Sequence, residues 1–338
     1  MLTNIIITLA LLLLSFFGLQ RLFTLPKNVW LLFLVQPLVM AASPVIVFIG
    51  GILATSMGAD PALVTLPVTV MILGVASTAI PAALLAQKKG RRFATFTGFM
   101  LGFSGTMLAM FAALNGSFEL LVLASLLFGS CTAFIQQLRF AAIESISDSK
   151  DVPTVLSILM LSGIFSAFLG PEIAVTAKDW LSSPYGYAGS FLFLAGLFLV
   201  AMLLMLNFRD AEIKPSGKHG EIRALSKIIK QPIFIIAILS AAIGFALMSY
   251  LMTATPLSMH HLHGHSLNDT KWVIQSHIAA MFIPSLFTAL LVKRIGLKNL
   301  MLTGTIIYAL VAVIALSGEQ VMHYWWALIL LGIGWNFL

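Results

Sequence analysis

An all-α bundle of membrane-spanning helices is the fold class that this chain of 338 residues predicts. Three observations predict it. Sixty per cent of the residues are hydrophobic and 9% are charged, so a soluble core of this length would lack a polar skin. The apolar residues gather in eleven runs of 17 to 26 residues, lengths suited to roughly 30 Å of hydrocarbon. The lysines and arginines fall between those runs, on alternate turns. Mean hydropathy is +1.03, and the runs lack the period-2 alternation of a membrane barrel.

The elements follow in order. Run 4–24 has no basic leader and no small-residue cleavage site, so residues 1–27 read as an extra helix or upstream extension rather than a signal peptide. Runs 30–55, 62–87, 94–114, 118–140, 153–176 and 187–208 make a six-helix half over 28–208. Residues 209–231 carry charges of both signs with Pro215, Ser216 and Gly217, and read as a linker. Runs 232–256, 271–292, 298–318 and 322–338 make a partial half of four helices over 232–338. The last run meets Leu338 with no basic flank, and a helix ending in hydrocarbon leaves carbonyls unsatisfied. The expectation is a truncated sequence whose second half lacks two further spans.

Charge sets the orientation. One side receives seventeen Lys and Arg: Arg21, Lys27, Lys88, Lys89, Arg91, Arg92, Arg139, Lys150, Arg209, Lys214, Lys218, Arg223, Lys227, Lys230, Lys293, Arg294 and Lys298. The other receives Lys178 and Lys271. The positive-inside rule makes the first side, with linker 209–231, cytoplasmic. Trp180, Tyr185, Trp272, Tyr324, Trp325 and Trp326 fall at the opposite boundary, where amphipathic rings prefer to sit; Trp335 falls well inside its run.

Composition excludes several classes. The formal charge of +7 is spread over short loops, which argues against nucleic acid. Cys131 is the single cysteine and sits in an apolar run, so no disulfide framework is possible within one chain. His260, His261, His263 and His265 crowd one loop without the spacing of a dedicated metal site, and no metal or cofactor is expected. No phosphate-cradling loop or nucleophile–His–acid arrangement occurs, so no enzyme is expected. The linker is too short for an ATP-hydrolysing domain.

A short stretch occurs twice, 206 residues apart: Ala83 to Arg92, reading ALLAQKKGRR, and Ala289 to Lys298, reading ALLVKRIGLK. Each closes an apolar run with a basic, Gly-centred turn and opens another. Six spans, a basic linker and this turn after the second span of each half resemble the major facilitator superfamily. That family's turn reads Gly-x-Leu-x-Asp-Arg-x-Gly-Arg-Arg. The match holds at Leu85, Lys88, Gly90, Arg91 and Arg92 and fails at Ala83 and Gln87. The family uses the Asp in a charge-relay lock, which Gln87 reduces to a neutral hydrogen bond. The resemblance implies a gating role for Gln87, Lys88, Gly90, Arg91, Arg92, Lys293, Arg294 and Gly296. Asn28 to Leu32, Thr253 to His260 and Gly332 to Leu338 resemble a bacterial subgroup that includes riboflavin transporters.

The family places its solute path between the halves. Polar groups inside spans are costly and therefore functional candidates. Gln36, Gln136, Arg139, Tyr250, Thr253, Trp335 and Asn336 are the expected solute contacts. Each has a plain alternative, as a hydrogen bond between helices, packing, or (for Arg139) snorkelling. An aromatic ring beside amide groups suits a flat heteroaromatic solute. Proton coupling needs a titratable group in a span, and Glu172 and His277 are the candidates. The expectation is a secondary active transporter in a bacterial inner membrane, monomeric when full length. It moves a small organic solute, vitamin-like or heteroaromatic, by alternating access. A drug/proton antiporter is the alternative, weakened by Ser125 where antiporters carry Arg and by the missing glycines after Pro171. A non-transporting receptor or assembly subunit on the same fold is the alternative of another class.

Overall fold

The computed structural model describes residues 2–210 and 225–338. The linker charges Lys214, Lys218 and Arg223 lie outside the described residues. Within them the chain is all helix and turn, with no strand. The helices are α1 (Leu2–Leu22), α2 (Lys27–Met40), α3 (Ala42–Ser56), α4 (Leu66–Lys89), α5 (Arg91–Asn115), α6 (Phe118–Ile135), α7 (Leu138–Glu144), α8 (Val152–Thr176) and α9 (Ala188–Met205). After the gap come α10 (Leu225–Ile229), α11 (Pro232–Leu257), α12 (Leu267–Phe282), α13 (Thr288–Ile295), α14 (Leu297–Leu316) and α15 (Val321–Phe337). Among the described residues, 9 helices are long and apolar enough to cross a membrane by length and composition, counting α2–α3 and α6–α7 as one each. Large apolar side chains stand exposed along them, Ile80, Leu203, Tyr250, Ile306 and Leu316 among others, as in a protein whose outer solvent is lipid.

Two of the expected runs are broken. The expected run 271–292 is not one helix. Pro284 lacks an N–H and its ring crowds the carbonyl four residues back, so α12 gives way to a 3-10 turn over Ile283–Leu286 before α13. Run 118–140 likewise breaks at Gln136 and Gln137, and α7 carries it on to Glu144. The extra run forms α1, whose Leu12 is buried with Trp30, Phe33 and Ile158.

The repeated turn has one backbone solution. Gly90 sits at φ 89, ψ 161 and Gly296 at φ 80, ψ 154. That region is essentially closed to residues with a Cβ, so both copies need glycine to reverse one helix directly into the next.

The helices before residue 210 pack on those after residue 225 along two seams, α8 with α12 and α3 with α11. In the first, the Phe282 ring lies against Gly163, where a Cβ would stand 2.7 Å from it. In the second, Leu257 lies against Gly51. Both seams run toward the end opposite the basic turns.

Candidate functional site

Between the two groups lies a cavity of about 370 Å³, within the range of small-molecule sites. Each helix offers it one face. Gln36, Met40, Ser43, Pro44 and Val47 recur at helical spacing along α2–α3; Val68, Met71, Ile72 and Val75 do so on α4. Thr132, Ile135, Gln136 and Arg139 face it from α6–α7, and Met160 and Ser166 from α8. Phe245, Met248, Ser249, Met252 and Thr253 form the α11 face, and His277, Ile278, Met281 and Phe282 the α12 face. Six of the chain's 16 methionines meet here. Their thioethers are flexible and polarisable, and they favour contact with aromatic ring edges.

Much of the polar lining is already engaged. Gln36 Nε2 donates to the Leu159 carbonyl at 3.0 Å, tying α2 to α8. The Ser43 and Thr132 hydroxyls meet at 2.9 Å across α3 and α6. Thr253 Oγ1 donates to Ser249 O at 2.7 Å, and Ser166 Oγ to Gly163 O at 2.6 Å. Gln136 and Arg139 differ. Both are exposed into the cavity at its basic end. Arg139 lies over the Phe140 ring at 5.1 Å, and no carboxylate among the described residues bridges it. It is the one Lys, Arg, Asp or Glu in the lining described. The cavity therefore presents one unspent cation, amides, soft sulfur and two Phe rings.

His277 is fully buried at the wall. Its Nδ1–H donates to the Leu328 carbonyl at 2.6 Å, which leaves Nε2 as the lone-pair nitrogen of the neutral ring; Nε2 has no partner among the described residues.

The structure leaves three expected contacts outside the cavity. Tyr250 is 70% exposed, about 100° of helix from Ser249 and off the cavity face. Trp335 packs edge-on against Phe245, with centroids 5.8 Å apart, and stands behind the wall. Asn336 is a brace: its Nδ2 donates to Met281 O at 2.9 Å and to Ser285 Oγ, and its Oδ1 accepts from Thr288 Oγ1 at 3.2 Å. It thus ties α15 to the carbonyls and hydroxyls around the break after α12.

Glu172 lies away from the cavity and is buried rather than wetted. Lys271 Nζ, on α12, stands 2.9 Å from its Oε2, and Asn4 Nδ2, on α1, donates to its Oε1 at 3.1 Å.

At the basic end, Gln87 and Lys88 are exposed, as are Lys293 and Arg294 in the second copy. The carboxylates of the first turn come from elsewhere. Asp210 Oδ1 accepts the Arg92 backbone N–H at 2.8 Å, capping α5. Arg91 Nε donates to Glu144 Oε2 at 2.8 Å, and its Nη1 to Gln137 Oε1 at 3.2 Å. Sequence reasoning missed Asn4, Glu144, Asp210 and Lys271; each is an ordinary boundary residue whose partner is distant in the chain. A second concavity, about 460 Å³, is lined by Arg92, Phe93, Phe96, Met100 and Asp210 on and beside α5, away from both seams.

The histidine loop is a networked corner. His263 Nε2 lies 3.1 Å from Glu319 Oε2, and its Nδ1 2.9 Å from the Tyr324 hydroxyl. Among the described residues no three groups stand together as a metal site.

The sequence profile of the Major Facilitator Superfamily matches residues 29–338. The riboflavin transporter RfnT of Brucella anthropi is 35% identical over 313 residues, 92% of this chain and 78% of that protein. The MFS-type transporter YdeG of Bacillus subtilis is 32% identical over 306 residues, 86% of this chain and 71% of its own length. A bacterial homologue of the human lysosomal transporter Spinster, inward-facing and unoccupied, superposes with a TM-score of 0.69 at 14% identity, covering 92% of this chain and 72% of that one. The nucleoside transporter NupG gives 0.65 at 12% identity, with 92% and 80% covered. At such identities the two structures speak for the fold alone.

Proposed function

Because the chain belongs to the major facilitator superfamily, we propose that it is a secondary active transporter for a flat heteroaromatic solute, riboflavin-like and neutral or anionic, working by alternating access. The carrying observation is the cavity: it lies between the two helix groups, is walled by methionine and phenylalanine, and holds Arg139 as the one full charge of the described lining. A cationic drug would meet a like charge there and no carboxylate among the described lining residues, which counts against the antiporter reading. The 35% identity to a riboflavin transporter supports the ring chemistry. Residues 28–208 and 232–338 serve as the two halves, and the basic turns support a linker in the cytoplasm of a bacterium.

On this reading the cavity opens inward. The halves meet at the outer end, and Arg139 and Gln136 stand exposed near the cytoplasmic mouth. Their donors grip the carbonyl edge of the solute while the sulfur-lined wall takes the ring face. His277 is the coupling group, since its buried Nε2 has no partner among the described residues, whereas Glu172 is held by Lys271. The test is competition for radiolabelled riboflavin uptake in cells. Neutral flavins and their anionic analogues should compete and quaternary ammonium dyes should not; the reverse order overturns the solute class.

A further inference from the structure

One ion pair among the described residues joins the two helix groups, Glu172 with Lys271. Both side chains are buried, at 4% and 11% exposure. It is the outermost rung of the α8–α12 seam. One turn along α12, Gln275 Nε2 donates to Phe168 O at 3.1 Å, one turn back along α8. Two turns further, Phe282 meets Gly163, and α12 then breaks. The seam is thus zipped from its outer end to the point where the cavity walls part.

The helix α1 lies ahead of the stretch that matches the superfamily, residues 29–338. It nevertheless reaches this rung. Asn4 Nδ2 donates to Glu172 Oε1 at 3.1 Å, closer than Thr176 Oγ1 of α8 at 3.4 Å, and Ile5 beside it is 1% exposed and anchors this end of α1. The rest of α1 rests on α2 and α8, both of the first group, and so travels with Glu172 when the groups separate.

We propose that α1 is a built-in clamp on the outer gate: Asn4 fixes the Glu172 carboxylate in the orientation that meets Lys271, and so weights the protein toward the state closed at its outer end. This rests on the alternating-access reading above. An ion pair that is wetted on opening gains little net from burial on closing. A carboxylate already oriented by a donor on its own half spares the cost of ordering it at each closure.

The test uses Val47→Cys, a cavity-lining position, in a chain whose single native cysteine, Cys131, is 1% exposed. A membrane-impermeant maleimide added to intact cells labels the introduced thiol only when the outer gate opens. Rates are normalised to inserted protein. Asn4→Ala should raise the labelling rate about three- to tenfold, and Asn4→Gln, which keeps the donor, by less. Lys271→Met should raise it at least as much as Asn4→Ala, and adding Asn4→Ala to Lys271→Met should change nothing further. Faster labelling in Lys271→Met with the parental rate in Asn4→Ala removes α1 from the gate. The parental rate in both shows that the ion pair is not the gate. Absence of outside labelling in every variant contradicts alternating access itself.

Discussion

Replacing Arg139 by Met separates binding from folding. Its guanidinium has no carboxylate partner among the described residues and lies 5.1 Å from the Phe140 ring centroid. An exposed contact of that kind contributes about 0.5–1 kcal/mol, so the variant should lose no more stability than that. A hydrogen bond from a charged donor to the solute is worth about 1.5–3 kcal/mol. The dissociation constant should therefore rise about 10- to 150-fold at 25 °C. Arg139→Lys should fall between, since it keeps the charge and loses the planar fork. Purified protein in detergent, titrated by flavin fluorescence and melted separately, gives both quantities. A large drop in melting temperature with unchanged affinity would make Arg139 a structural or snorkelling residue and remove it from solute binding.

Three further outcomes follow from the geometry. Gly90→Ala and Gly296→Ala each force a Cβ into a glycine-only backbone region, at about 1–3 kcal/mol apiece. Gly90→Ala should cost more in thermal denaturation, because its Cβ also meets Asp210 Oδ2 at 2.5 Å while the one at Gly296 meets open space. Asn336→Ala should lower stability by about 1–3 kcal/mol through its lost bonds to Met281, Ser285 and Thr288, yet leave the dissociation constant of the remaining folded protein unchanged; a selective loss of affinity would return Asn336 to the site. For His277→Gln, an inward proton gradient that speeds uptake by the parent protein should no longer do so; retained stimulation removes His277 from coupling.

Span positions and the two glycine turns were legible because burial in lipid imposes length, and reversal at Gly90 and Gly296 imposes glycine. Helix phase was not. On α11 the cavity face at Phe245, Met248, Ser249, Met252 and Thr253 and the exposed face at Tyr250 are both mostly apolar, so no hydrophobic contrast tells one from the other. Thr253 lines the cavity and Tyr250 does not, although both are polar and three residues apart. The same lack of contrast hid the position of Trp335 and Asn336 behind the wall. Pro284 marks a break, yet Pro81, Pro171 and Pro256 lie inside continuous helices, so proline alone does not announce one, and the turn at Gln136 carried no signal. Pairings across long separations, such as Glu172 with Lys271 and Arg92 with Asp210, depend on the assembled bundle, and no local pattern announces them.

Riboflavin flux into liposomes holding the purified protein decides whether the chain is a transporter. A transporter should give saturable uptake and exchange of preloaded riboflavin, both reduced by about tenfold or more in Arg139→Met at subsaturating solute. Retained riboflavin binding without flux under any imposed gradient would contradict the transporter reading and leave a receptor on a transporter fold.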